Sequence, residues 1–155
     1  DKKLLTYTSV PLAQDMQITG WPIVSLTVSS THSDGAFIAY LEDIDEQGNS
    51  TYVNEGGLRA IHRKVKANPV AELEHLPYHS FKREDAQPLV PNKVIEIKFE
   101  MIPTSVKIAK GHRIRIAIAG ADKDNFVRIP ANGDPVIKVY RGGDTPSYVD
   151  FPVVK

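Results

Sequence analysis

The chain contains no cysteine. That removes a disulfide framework, a thiolate nucleophile and Cys-ligated zinc together, and it leaves the redox compartment unreadable. It also carries no net charge, because 19 Lys and Arg balance 19 Asp and Glu. A balanced chain is not built chiefly to grip nucleic acid or an anionic lipid surface, although a local basic patch stays open. No stretch approaches the roughly 18–20 apolar residues of a membrane-spanning helix, so no membrane partner is expected. The apolar pair Leu4-Leu5 is too short for the h-region of a signal peptide. No pattern fixes a compartment, and the cytoplasm is the default expectation.

What is present is 155 residues, 41% hydrophobic and 25% charged, which suits one domain over residues 1–155. A chain of that size buries about 68–70% of its unfolded surface and needs no staple. The start, Asp1-Lys2-Lys3-Leu4-Leu5-Thr6, reads as an abrupt lead into a strand, as a cut between domains would leave.

Eleven prolines set the architecture. A helix interior tolerates proline poorly, since it loses a hydrogen bond and clashes with the preceding turn. Two long windows lack it, 23–68 and 104–129, and both alternate with period two. Val24, Leu26 and Val28 oppose Ser25, Thr27 and Ser29, which predicts a half-buried strand. A strand rich in Phe, Ile, Tyr and Leu follows over 36–44, then a hairpin turn, Asp45-Glu46-Gln47-Gly48-Asn49. Ser50 to Val53 leads back, Gly56-Gly57 is expected to break the chain, and 58–63 alternates again.

Residues 64–92 hold four prolines and no clear period, which predicts an irregular crossover with at most one helical turn, near 71–74. Strands return at Val94 to Met101, 105–109 and 112–119, the last with Ile114, Ile116 and Ile118 inward and Arg113 and Arg115 outward. Another is expected over 136–140, and the tail 146–154 supplies a last one at an edge. About eight or nine short strands with little helix predict an all-β fold, a jelly-roll β-sandwich.

Candidate chemistry is sparse. A nucleophile elbow needs Gly-x-Ser-x-Gly between a strand and a helix; Gly48-Asn49-Ser50-Thr51-Tyr52 lacks the second glycine and sits in a hairpin. His32-Ser33-Asp34 holds the three triad residue types, but adjacent residues cannot face one another as a triad. Asp43-x-Asp45-x-Gln47-Gly48 resembles the start of a calcium loop, yet Asn54 stands where the bidentate Glu belongs. Asp122-Lys123-Asp124-Asn125 is a second oxygen-rich loop. His75 and His79 have zinc-like spacing only on a continuous helix, and Pro77 lies between them. Lys107, Lys110, His112, Arg113 and Arg115 form a basic cluster without the interleaved aromatics of a stacking platform. No catalytic residue, metal ligand or cofactor-binding residue is therefore assigned, and no nucleic-acid partner is expected. Trp21 before Pro22 reads as a packing residue. Asn49-Ser50-Thr51 is a glycosylation sequon only if the chain is secreted.

Four segments in order resemble a known family. They are Leu5-Thr6-Tyr7-Thr8-Ser9-Val10-Pro11-Leu12 with Asp15 and Ile18-Thr19-Gly20; Phe37-Ile38-Ala39-Tyr40-Leu41-Glu42-Asp43 followed by Gly48 and then Glu55-Gly56-Gly57-Leu58-Arg59-Ala60 with Arg63; Lys110-Gly111-His112-Arg113-Ile114-Arg115; and Thr145-Pro146-Ser147 closing on Phe151-Pro152-Val153-Val154. The set is similar to the C-terminal jelly-roll domain of the X-Pro dipeptidyl-peptidase and cocaine-esterase (CocE/NonD) hydrolases. The resemblance implies a galactose-binding-like β domain packed on an upstream α/β-hydrolase domain, its partner, which carries the serine, aspartate and histidine. It implies no catalytic role for any residue of this chain. Loop 121–133 occupies the place of a family loop with a Phe-Pro-x-x-x-x-Asn run, from which it departs at Val127.

Within the residues themselves, Gly111 lets the turn before the Ile114 strand reverse, and Arg63 is placed to tie down carbonyls or a carboxylate such as Glu55. A free-standing carbohydrate-binding module is the alternative, motivated by the all-β pattern, Trp21 and the six tyrosines. Association with further copies of the chain stays open.

Overall fold

In a computed structural model, residues 4–144 and 146–154 are described. Asp1, Lys2, Lys3 and Thr145, which figure in the sequence patterns above, lie outside the described residues. Strands β1 (Leu5–Thr8), β2 (Met16–Gly20), β3 (Ile23–Ser30), β4 (Ala36–Ile44) and β5 (Ser50–Arg59) precede an excursion with short 3-10 turns at Ala60–His62, Ala71–Leu73 and Arg83–Asp85. Then come β6 (Ile95–Glu100), β7 (Thr104–Ile108), β8 (Arg113–Ala119), β9 (Ile137–Tyr140), β10 (Tyr148–Asp150) and β11 (Val153–Val154). All pairings of these strands are antiparallel. The fold is a jelly-roll β-sandwich.

One layer has the order β1-β8-β4-β5. The other is a three-strand ribbon, β10-β3-β6, that continues as β11-β2-β7. Each of its three strand paths is interrupted at one level by a proline: Pro22, Pro103 and Pro152. Proline cannot donate to the ladder, so the regular pairing is interrupted there, while the Pro22 and Pro152 carbonyls still accept from the Met101 and Thr19 amides at 2.8 and 2.9 Å. Gly20 at this level has φ +129°, and a Cβ on it would stand 3.2 Å from the Pro152 ring. The core lies between the layers, where Val24, Leu26 and Val28 meet Phe37, Ala39, Leu41, Ile97, Phe99, Ile114 and Ile118.

Several expectations need correction. Gly56-Gly57 does not break the chain, because β5 runs through it. A Cβ on Gly56 would meet the Glu100 carbonyl oxygen and the Met101 Cα at 2.6 Å, so this glycine lets the two layers touch. The segment after Arg59 is a 3-10 turn rather than a continued strand, and the crossover 64–92 holds two such turns rather than one. The tail makes two short strands because Pro152 divides it, and β2 raises the number of strands further.

β3 is not half-buried, since Ser25, Ser29 and Ser30 are also covered. The 64–92 excursion lies over that side. His79 bonds the Lys98 carbonyl of β6 at 2.9 Å, opposite Ser25, and Asn92 N–H donates to the Ser30 carbonyl at 2.7 Å. Small serines carry a polar signature yet leave room for such a cover. The excursion is held by Asp85, which accepts from Lys64 at 2.5 Å, Lys66 at 2.8 Å and Ser80 at 2.6 Å. These donors hold the Asp85 carboxyl far below the usual range. Arg63 ties the carbonyls of Ala60, Gln87 and Pro88, not Glu55, and its burial lowers its own pKa.

Candidate functional site

β4 is covered on both faces. Phe37, Ala39 and Leu41 point into the sandwich, while Ile38, Tyr40, Glu42 and Ile44 lie on the outer face of the β1-β8-β4-β5 layer. There the register sets Glu55, Tyr40 and Ala117 in one row and Tyr52, Glu42, Arg115 and Thr8 in the next. Glu42 is buried, its Oε2 3.7 Å from the Arg115 guanidinium. Arg115 Nε also donates to Thr8 Oγ1 at 3.0 Å.

The loop after β8 fastens to this face at a single aspartate. Tyr40 Oη donates to Asp122 Oδ2 at 2.7 Å. The same carboxylate accepts from Asn125 Nδ2 at 2.9 Å and from the Asp124 and Asn125 amides at 3.1 and 3.3 Å. Asn125 and Tyr40 lead these donors in drawing the Asp122 pKa down to about 2. In turn, burial first and the Asp122 carboxylate second push the Tyr40 phenol well above its ordinary value. The loop's far limb is tied by Arg128 to the Gly133 carbonyl and to Asp134, and the Ile129–Pro130 peptide is cis. Between these anchors the tip offers Phe126 and Val127, the latter 84% exposed, beside a hollow lined by residues 121–128.

Residues 121–134 include no Ser, Cys or His. The loop can present an apolar edge on a fixed polar base, and it has no nucleophile or general base of the histidine type to offer. At its oxygen-rich start, read above against a calcium loop, the Asp122 carboxylate is taken up by donors of the loop and by Tyr40. The Tyr40–Asp122 bond spans 82 positions, so the sequence signalled it only through the Asp-x-Asp-Asn turn.

The other candidates are dispersed. Asp45 accepts from the Gln47 and Asn49 amides at 2.9 and 2.8 Å and from Asn49 Nδ2 at 2.8 Å, closing the β4–β5 hairpin. Asp43 pairs with His112 Nδ1 at 2.8 Å, away from Asp45's ring of donors. Among the described residues, no three His, Asp or Glu side chains converge as metal ligands. His75 meets the edge of Trp21, with centroids 6.4 Å apart, whereas His79 bridges the Lys64 and Lys98 carbonyls. Asp34 of the His32-Ser33-Asp34 run pairs with Arg59 at 2.7 Å, and His32 turns to Thr31.

The basic cluster is partly neutralised. Lys107 Nζ and the Lys110 backbone amide both donate to Asp15, the amide first in lowering the Asp15 pKa. His112 serves Asp43 and Arg115 serves Glu42, while the Lys110 and Arg113 side chains are exposed. Of the aromatics weighed for sugar binding, Trp21 is half-buried, while Tyr52 and Tyr148 are exposed.

The X-Pro dipeptidyl-peptidase C-terminal non-catalytic domain matches residues 1–150. The chain belongs to that family. It is 46% identical over 155 residues to a Mycobacterium bovis protein named, by inference, a serine esterase, covering 100% of this chain and 24% of the relative. It is 22% identical over 164 residues to the cocaine esterase of a Rhodococcus species, covering 98% of this chain and 26% of that one.

A crystal structure of a CocE/NonD family hydrolase from Staphylococcus aureus superimposes with a TM-score of 0.82 at 19% identity, covering 99% of this chain and 31% of that one. An alpha-amino acid ester hydrolase does so with a TM-score of 0.80 at 21% identity, covering 99% and 26%. The chain thus spans about a quarter of the length of the curated relatives it matches. It is a non-catalytic domain of the kind that larger hydrolases of this family carry.

Proposed function

We propose that the chain serves, as one β-sandwich unit over residues 1–155, a longer serine hydrolase that cleaves esters. In this reading it packs on the catalytic α/β domain and offers the 121–134 loop as part of the wall of the substrate cleft. The observation that carries it is the match to a non-catalytic hydrolase domain over residues 1–150, in a chain 46% identical to a relative whose name gives serine esterase. Ester cleavage is preferred to X-Pro peptide cleavage because the relative named for the latter, from Streptomyces avermitilis, is only 25% identical.

The loop supports the walling role. Its base is pinned by Tyr40, and its tip exposes Phe126 and Val127 without a local partner layer. Such a tip contributes to binding rather than bond making, so its loss belongs in KM. In the full-length protein, Phe126→Asp with Val127→Asp is expected to raise KM for p-nitrophenyl butyrate severalfold, with kcat and the unfolding midpoint nearly unchanged. Unaltered KM and kcat in that variant would remove the loop from the cleft.

A further inference from the structure

The two layers fail to close along one side of the sandwich. β9 and β10 share a single edge of β3, β9 opposite Thr27 to Ser30 and β10 opposite Ile23 to Ser25. Just past β9, Gly142 and Gly143 have φ of +78° and +60°. On the opposite lip, Tyr7 and Ile116 are register partners of β1 and β8. Between the lips lies a cavity of about 350 Å³, walled by Leu26, Ile114, Ile116, Ile118, Val149 and Phe151. Thr8, Ser9 and Ser147 also line it, but the walls are mainly aliphatic and aromatic, and burying an apolar chain against them releases water from that surface.

Among the polar residues of the lining, Arg141 is the cationic one. Arg141, just past the end of β9, reaches across to β1 and sets its guanidinium 5.7 Å from the centre of the Tyr7 ring. Its backbone is fixed nearby. Ser147 Oγ donates to the Tyr140 carbonyl at 2.6 Å and accepts from the Thr27 amide at 3.0 Å. Among the described residues no carboxylate pairs with Arg141, as none pairs with Arg63, Arg83 or Arg113, but Arg141 alone of these four lines the cleft. A planar guanidinium without a carboxylate, laid over an aromatic ring at the mouth of an apolar cavity, is matched by a carboxylate on an apolar tail. Pockets of this size, mostly apolar with few polar groups, are the usual form of small-molecule sites.

We propose that this inter-sheet cleft binds a medium-chain aliphatic carboxylate, with the tail between Leu26 and Ile116 and the head on Arg141. The proposal is independent of the ester-hydrolase reading. Calorimetric titration of the full-length protein with decanoate and with decan-1-ol tests it. Decanoate is expected to saturate one site and to bind about fivefold more tightly than the alcohol, the modest ratio reflecting an exposed cation.

Arg141→Gln should remove that preference and leave the alcohol's affinity unchanged, and Val149→Phe should weaken both ligands by occupying the cavity. Thermal unfolding of each variant checks that the fold persists, and Arg141→Gln, an exposed change, decides the matter if Val149→Phe does not fold. Absence of saturable decanoate binding, as when another part of the protein fills the cleft, would overturn the proposal. So would decanoate binding that Arg141→Gln leaves unaltered, since the ligand would then sit elsewhere.

Discussion

The Tyr40 hydroxyl donates to the Asp122 carboxylate at 2.7 Å, joining the outer face of β4 to the loop that follows β8. Tyr40→Phe keeps the ring and removes the donor, so the loop should loosen while the sandwich persists. Hydrogen exchange of the Asp124, Asn125 and Phe126 amides, all donors to Asp122, is expected to quicken about tenfold, with core strands unaffected. Equal protection in wild type and variant would show that the loop's own donors hold the turn without Tyr40.

Gly56 touches the backbone of the opposite layer, so any side chain there must push the layers apart. Gly56→Ala should cost roughly 1–3 kcal/mol by overpacking. Gly48 has φ +88° with nothing within 4 Å of a Cβ. Gly48→Ala therefore carries only the left-handed backbone cost, about 1 kcal/mol. Urea unfolding of both variants should rank them in that order, and the reverse order would contradict the close approach.

Asn54 is buried inside the sandwich, donating from Nδ2 to the Ile102 carbonyl and accepting from the Glu55 amide. Asn54→Ala leaves both backbone groups without that partner and should cost about 1–3 kcal/mol. Denaturant titration measures it, and a neutral substitution would mean that solvent reaches this site.

The acid limb of stability has a definite sign. Asp85 and Asp122 both have folded pKa values below the unfolded carboxylate value of about 3.9. Their contribution is complete above that unfolded value and is lost as pH falls through the folded values, about 2 for Asp122. Asp85→Asn should therefore lower the melting temperature near pH 6 and flatten its decline below pH 4. An unchanged slope would place the acid-sensitive groups elsewhere.

Much of the fold was legible because core-facing residues recur at every second position. Val24, Leu26 and Val28, Phe37, Ala39 and Leu41, and Ile114, Ile116 and Ile118 all mark strands that the structure contains. The Asp45 to Asn49 turn was legible from its side-chain chemistry. Gly56-Gly57 misled because a glycine pair that admits a neighbouring layer looks like one that ends a strand. Ser25 and Ser29 misled because small polar residues on one side of a strand can lie under a crossover segment. The Tyr40–Asp122 link and the Arg141–Tyr7 contact join distant segments and have no local pattern. The family resemblance rested on four ordered segments rather than on a catalytic motif, so it pointed to the kind of domain without marking a site.

The proposed role requires that the nucleophile of the longer hydrolase lie outside this chain. Labelling the full-length protein with a fluorophosphonate probe and mapping the adduct by peptide mass spectrometry tests it most directly. The account predicts one labelled serine outside residues 1–155, with no adduct on any serine of this chain. A stoichiometric adduct on a serine of this chain, such as Ser33 or Ser50, would contradict it.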